Sequence, residues 1–411
     1  MVNIAILGYG TVGSGVVEVL NTNRDSINKR AGQEINIKYV LDLKDFEGDP
    51  IQKVIVHDYD VIINDDSVKV IVEVMGGVEP AYTFVKEALL KGKSVVSSNK
   101  ELVAKHGAEL LQIAKDKNIN FLFEASVGGG IPIIRPLNQS LTADEIYEIT
   151  GILNGTTNYI LSKMSKEGLA FDSVLKEAQE KGYAERNPAA DVEGHDACRK
   201  IAILSSLAFG MQVDFEDIYT EGITKITDTD MQYAKYLGLD IKLLATSKKV
   251  DQRVYARVAP MMLGSGHPLA NVHDVFNAIF VKGNVIGDVM FYGKGAGKLP
   301  TASAVVADVV DAAKHLERNI MSFWSTEKMG LMEIKEVPTQ YFIRIKGSSS
   351  DMNVNVQKLF GAIQIVQLEE IDNEFAIITE EEAEGELNKK VEQLRALTSE
   401  DAVLSVIRVE N

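Results

Sequence analysis

The stretch Val2-Asn3-Ile4-Ala5-Ile6-Leu7-Gly8-Tyr9-Gly10-Thr11-Val12-Gly13-Ser14-Gly15 decides the fold. A short apolar run with β-branched residues reads as a buried strand, and Val16, Val17, Val19 and Leu20 continue past the glycines in an apolar helical pattern. Strand, glycine turn and helix follow one another directly. That context turns a weak G-x-G-x-x-G pattern into a dinucleotide-binding signal. Gly8 permits the tight turn, Gly10 lets the backbone approach a pyrophosphate, and Gly13 allows the helix to pack closely on the sheet. Thr11 and Val12 open the helix, whose N-terminus favours an anion. The alternative is a merely structural turn.

The same alternation continues downstream. Strands are expected at 35–41, 54–55, 61–63, 70–74, 94–96 and 120–123, with helices at 81–91 and 101–117. Strands alternating with helices indicate an α/β fold with a parallel sheet of the Rossmann type. The acid expected at the end of its second strand is Asp42, placed to accept hydrogen bonds from a ribose diol, and Lys44 is the basic residue close by. This first domain spans 1–130. A second, α+β region covers 131–295 and is read as the substrate-binding and dimerisation domain. A helical pattern at 304–316 returns to the first domain, completing it with about 296–335. The tail, 338–411, reads βαββαβ, with Pro338 at the joint.

Composition bounds the partners. The 411 residues exceed what one core supports and carry a net charge of −16, which disfavours nucleic acid and anionic membranes. Half of that charge is local, with 15 acidic against 7 basic residues from Glu336 onwards, suggesting a separate acidic tail domain. A single cysteine, Cys198, excludes an internal disulfide and a multi-cysteine zinc site. The start lacks a cationic region and an apolar signal core, and no 18 apolar residues run uninterrupted, so a cytoplasmic protein is expected.

Three further segments carry chemistry. Lys100, in SSNK, follows a strand of the expected parallel sheet, where ligands bind beyond the strand ends. EASVGGGIP, 124–132, joins the Glu124 carboxylate to three glycines that free the backbone to turn carbonyls towards a hard cation, or that form a plain linking turn. Finally, ERNPAADVEGHDACRK, 185–200, crowds Glu185, Asp191, Glu193, Asp196 and His195 before Arg199 and Lys200. A turn at Asn187-Pro188 and a break at Gly194 lead into a helix that sets Asp196 and Lys200 four apart on one face. Read alone, that pair is more readily a surface ion pair of little energetic weight.

GYGTVGSG, SSNK, EASVGGGIP, GILNGTTNYIL at 151–161, the spaced pattern from Ala178 to Lys200, and GKGAGKLPTASAVVAD at 293–308 together closely resemble the homoserine dehydrogenase family over about residues 1–330. The tail resembles an ACT regulatory domain. With no kinase-sized segment ahead of the first strand, the monofunctional form is expected. The resemblance implies reversible reduction of aspartate 4-semialdehyde to homoserine with NAD or NADP. It assigns Lys200 as acid/base, Lys100 as its assistant or a substrate-positioning group also near the nicotinamide, and Asp196 as the residue that orients Lys200. Glu185 and Asp191 are expected to hold the substrate ammonium, and Asn154, Gly155 and Thr156 its carboxylate. Glu124 with the carbonyls of Val127, Gly129 and Ile131 is implied as a monovalent cation site, usually sodium, and Gly297 as a cofactor contact.

Two departures stand out. Leu41 precedes Asp42 where NADP-preferring members often carry arginine, and GSSSDMNVNV, 347–356, replaces the usual ACT turn. Threonine is therefore a candidate effector beside a ligand-free pairing module, and a homodimer or homotetramer is expected. A catalytically silent nicotinamide-binding sensor and another ACT-containing dehydrogenase are the competing readings. The second is disfavoured because its glycine motif normally sits mid-chain.

Overall fold

The computed structural model describes residues 1–321 and 324–410. The chain divides into two units, the first comprising Met1–Ile146, Arg199–Glu216 and Lys282–Met329 and the second Tyr147–Cys198, Asp217–Val281 and Gly330–Asn411.

In the first unit, β1 (Val2–Leu7), β2 (Ile35–Leu41), β3 (Ile55–Val56), β4 (Val68–Glu73), β5 (Ser94–Ser97) and β6 (Phe121–Leu122) form a six-stranded sheet in the order β3-β2-β1-β4-β5-β6. Every pair in it is parallel. Ile4, Ala5, Ile6 and Leu7 are wholly buried, as a strand covered on both faces requires. The strand order reverses between β1 and β4, and the glycine-rich loop leaves β1 at that reversal, where such sheets bind ligands. A Cβ on Gly15 would lie 2.9 Å from the Lys298 carbonyl and 3.0 Å from the Ala302 side chain. The helix Thr11–Thr22 thus packs closely on the helix Lys298–Lys314.

One expected strand is a helix. Residues 61–63 belong to the helix Tyr59–Ile63, started by the Asp58 side chain, which accepts the Asp60 N–H. Tyr59, Ile62 and Ile63 then bury one helical face, so capping and burial override the β preference of the branched residues.

In the second unit the strands run in the order Phe276–Gly283, Ile146–Ile152, Leu239–Val250, Arg253–Gly264, Val403–Glu410, Pro338–Lys346, Glu374–Thr379 and Ile363–Val366. The hairpin of Leu239–Val250 and Arg253–Gly264 is antiparallel along its whole length. The tail is continuous with this sheet through parallel pairing of Met261, Met262 and Leu263 with Arg408, Val409 and Glu410. Helices Ser349–Phe360 and Glu384–Leu397 complete the tail, over a core of Tyr341, Ile343, Phe375, Ile377, Leu387 and Leu394. Buried ion pairs lie at its boundary. Arg344 bonds Asp230 at 2.9 Å and Glu374 at 3.0 Å, and Arg408 bonds Glu384 at 2.7 Å and Glu221 at 2.6 Å.

Candidate active site

Gly8 holds φ +100°, a conformation that side chains rarely adopt, and a Cβ on it would sit 3.2 Å from Met75. At Gly13 a Cβ would lie 2.0 Å from the Gly8 carbonyl oxygen. No side chain fits there. A Cβ on Gly10 would meet nothing within 4 Å, so the loop is open on that side. Gly10 caps the helix without a side-chain acceptor, and the N–H groups of Thr11, Val12 and Gly13 have no intrahelical partners by the geometry of a helix start. The arrangement fits a dinucleotide pyrophosphate. Asp42, following β2, accepts the Tyr9 N–H at 2.8 Å and the Lys44 N–H at 3.0 Å, so the expected ribose acid also braces the glycine loop.

Lys100 is half-buried at the first position of the helix Lys100–Asp116, whose cap is Asn99. The ends of β4 and β5 beside it are organised by a group the sequence reading missed. Glu73, fully buried, accepts the Ser97 hydroxyl at 2.6 Å and the Met75 N–H at 2.9 Å. Burial pushes its carboxyl above the usual carboxylate range, against these hydrogen bonds. The hint in sequence was an acid directly after the apolar run Val70-Ile71-Val72.

Glu124 is buried, and its carboxylate accepts the N–H groups of Ile133 (2.7 Å), Ile134 (2.9 Å) and Arg135 (2.7 Å). Gly129 has φ +57°, and Cβ atoms on Gly129 and Gly130 would lie 2.2 Å from the Gly295 oxygen and 2.7 Å from Pro300. The glycines are therefore required by close approach of residues 294–300. Glu124 Oε2 accepts one of these N–H groups and keeps acceptor capacity. The carbonyls of Val127, Gly129 and Ile131, expected to act with it, are likewise hard-oxygen donors. Asp308 accepts the Glu124 N–H at 2.8 Å and bonds Arg135 at 2.5 Å; burial, then the nearby Glu124 charge, pushes its carboxyl up to about 8. Gly297, φ +119°, caps the helix Lys298–Lys314.

Asn154 ties the second unit's polar groups together. Its Oδ1 accepts the Thr157 N–H at 2.9 Å, capping the helix Gly155–Glu167, while its Nδ2 donates to Asp191 at 2.7 Å and Asp196 at 2.9 Å. Asp191 is delivered by the short helix Ala189–Val192, and Gly194, at φ +84°, turns the chain into the helix His195–Phe209. Asp196 and Lys200 lie one turn apart on that helix, and both are buried, at 4% and 9% exposure. An exposed surface ion pair is thereby excluded. The Thr156 hydroxyl donates to the Tyr183 carbonyl at 2.6 Å, and a Cβ on Gly155 would lie 2.8 Å from the Val275 oxygen, so both are fixed by neighbouring backbone. Glu185 is exposed and lies outside this hydrogen-bonded cluster.

The model for the homoserine dehydrogenase NAD-binding domain matches residues 8–124, and that for homoserine dehydrogenase matches 132–310. Homoserine dehydrogenase of Bacillus subtilis is 40% identical over all of this chain and 98% of its own length. The chain belongs to the homoserine dehydrogenase family. The crystal structure of a homoserine dehydrogenase from Thiobacillus denitrificans superposes with a TM-score of 0.91 at 36% identity, covering 100% of this chain and 98% of that one. A hyperthermophilic archaeal homoserine dehydrogenase in complex with NADPH gives a TM-score of 0.65 at 30% identity over 76% of this chain and 97% of its own. Homoserine dehydrogenases are NAD(P)-dependent oxidoreductases acting on a CH–OH group, and the chain shares that function.

Other titratable and aromatic side chains have structural explanations. His195 and Glu193 pair at 3.1 Å on an exposed surface, His106 stacks on Tyr82, and Tyr82 and Lys86 are both bonded to Glu109. Cys198 is buried, and Trp324 is buried with its N–H on Gln212. No metal cluster of His, Cys, Asp or Glu occurs among the described residues, and no helix there is long and apolar enough to cross a membrane.

Proposed function

We propose that the chain interconverts L-homoserine and L-aspartate 4-semialdehyde with Lys200 as the acid/base. The carrying observation is the buried Asp196–Lys200 turn joined through Asp196 to Asn154 and Asp191. When bound, the nicotinamide exchanges a hydride with the substrate carbon. Lys200 then gives a proton to the developing alkoxide in reduction and removes it in oxidation. Asp196, one helical turn away, orients that ammonium. Asp191, held by Asn154, receives the substrate ammonium, with Glu185 adding charge from the surface. The backbone at Asn154, Gly155 and Thr156 receives the substrate carboxylate, and Lys100 assists at the reacting oxygen. Gly8, Gly10, Thr11, Val12 and Gly13 hold the pyrophosphate, Asp42 the ribose, and Gly297 the returning segment against the cofactor.

Glu124 and the carbonyls of Val127, Gly129 and Ile131 would hold a monovalent cation, sodium by family resemblance, which would neutralise the buried carboxylate there; its support is the hard-oxygen donor set. Replacing sodium by choline should lower the rate. The βαββαβ order of 338–410 supports an ACT-like module, with threonine as candidate effector. Titration calorimetry with threonine tests it: no heat and unchanged activity at millimolar concentration would refute it. A homodimer or homotetramer is expected in sedimentation. Homoserine-dependent reduction of NAD+ or NADP+ at 340 nm tests the function itself; coenzyme binding without turnover would favour the sensor reading.

A further inference from the structure

We propose that the adenosine end of the cofactor cradle selects the 2'-hydroxyl coenzyme, NAD, over its 2'-phosphorylated form, NADP, through the carboxylates of Asp42 and Asp49, both anchored on Tyr9. The proposal rests on the reading of the glycine loop as a nicotinamide dinucleotide site.

The end of the second strand is where this fold meets the adenosine ribose. Asp42 stands there, fixed by the N–H groups of Tyr9 and Lys44. Those are two of the backbone donors that a phosphate at this corner would need, and a carboxylate already occupies both. Asp42 keeps lone pairs for the two ribose hydroxyls, which are donors. A phosphate in place of the 2'-hydroxyl brings up to two negative charges and no such donor. Asp49 adds a second fixed charge: its Oδ1 accepts the Ile51 N–H at 3.0 Å and its Oδ2 the Tyr9 hydroxyl at 3.0 Å. Tyr9 is itself set edge-on to Phe46 at 4.8 Å, so neither acid swings freely.

Compensating cations are few: between Asp42 and Val56 the chain has Lys44 and Lys53, both exposed. From Asp42 to Asp49 the chain has four acidic residues and one basic residue, Lys44, whose side chain is exposed. No arginine occurs between Asp42 and Val56. Leu41, the residue before Asp42, is apolar and buried. His57 rests its Nδ1 on the Asp42 carbonyl and its Nε2 3.3 Å from Asp45, so its charge when protonated is matched by Asp45. Recognition of a 2'-phosphate relies on a guanidinium fork or ammonium, and this corner supplies neither in a fixed position.

Titration of the full chain with NADH and with NADPH, followed by coenzyme fluorescence, tests the selection. NADH should bind about tenfold or more tightly than NADPH at low ionic strength. The gap should narrow as salt is raised, because the disfavouring term is repulsion between exposed charges. Asp49→Asn should strengthen NADPH binding several-fold while changing NADH binding less, and Asp42→Asn, which also removes a ribose acceptor, should weaken NADH binding and so narrow the gap from both sides. Equal or tighter NADPH binding by the parent chain, or a preference that both variants and salt leave unchanged, would overturn the proposal. Binding of neither coenzyme would overturn the nicotinamide reading beneath it, an outcome distinct from a reversed preference.

Discussion

Replacing Asn154 by alanine removes three hydrogen bonds at once, and the structure sets the scale of the loss. The helix Gly155–Glu167 loses its cap, which costs about 1 kcal/mol. Asp191 and Asp196 each lose a hydrogen bond from the Asn154 amide, and bonds to charged groups contribute about 1.5–3 kcal/mol apiece. With partial recovery through water at the half-buried Asp191, a total of about 2–4 kcal/mol follows. In a unit of this size that is a fall of roughly 5–10 °C in melting temperature. Homoserine oxidation should fall further than stability alone explains, since Asp196 would no longer be held against the turn that carries Lys200. Asn154→Asp separates the two effects. It retains an acceptor for the Thr157 N–H but sets a third carboxylate against the other two, so it should spare the cap and still lose activity. Differential scanning fluorimetry and kcat/KM on both variants decide it. An Asn154→Ala protein with unchanged melting and unchanged kcat/KM would refute the reasoning.

Gly13→Ala should abolish coenzyme binding in a fluorescence titration and lower stability, because its Cβ would meet the Gly8 carbonyl oxygen at 2.0 Å, a backbone atom that cannot swing aside as a side chain can. Lys242, buried with its ammonium on the Val272 carbonyl at 2.7 Å, is pushed down to about 8 by desolvation. The folded chain then binds fewer protons than the unfolded one between about pH 8 and 10.4, so its contribution to stability rises with pH across that window. Lys242→Met should lack the rise, and its stability relative to the parent should fall by up to about 3 kcal/mol from pH 8 to 10.4 in denaturant titrations. Arg344→Met should cost about 3–5 kcal/mol by leaving the fully buried Asp230 without its guanidinium. Limited proteolysis should then cut the tail sooner.

The strand, glycine loop and helix at the start were readable because apolar spacing and glycine chemistry are local properties of the sequence. Contacts between distant residues were not. Glu73 was passed over because Ser97 and Asn99, its partners, come from another strand end. The tail's negative charge suggested a separate acidic domain, and spacing did not show that Glu384 and Glu374 are paired with Arg408 and Arg344. Arg408 reaches across 187 positions to Glu221, a partnership that composition cannot reveal. Glu124 shows the opposite case: its importance was visible, but its three backbone donors at 133–135 were not. In the segment 185–200, burial separated Asp196 and Lys200 from the exposed Glu193 and His195, a distinction that spacing alone leaves open.

The central claim, that Lys200 moves the proton, is tested most directly by kcat for homoserine oxidation in Lys200→Ala, with NADH affinity measured on the same sample. A fall of about 10²–10⁴-fold in kcat with coenzyme affinity unchanged is the predicted result. A rate within about threefold of the parent's, far short of the loss expected from removing a general acid/base, would contradict it.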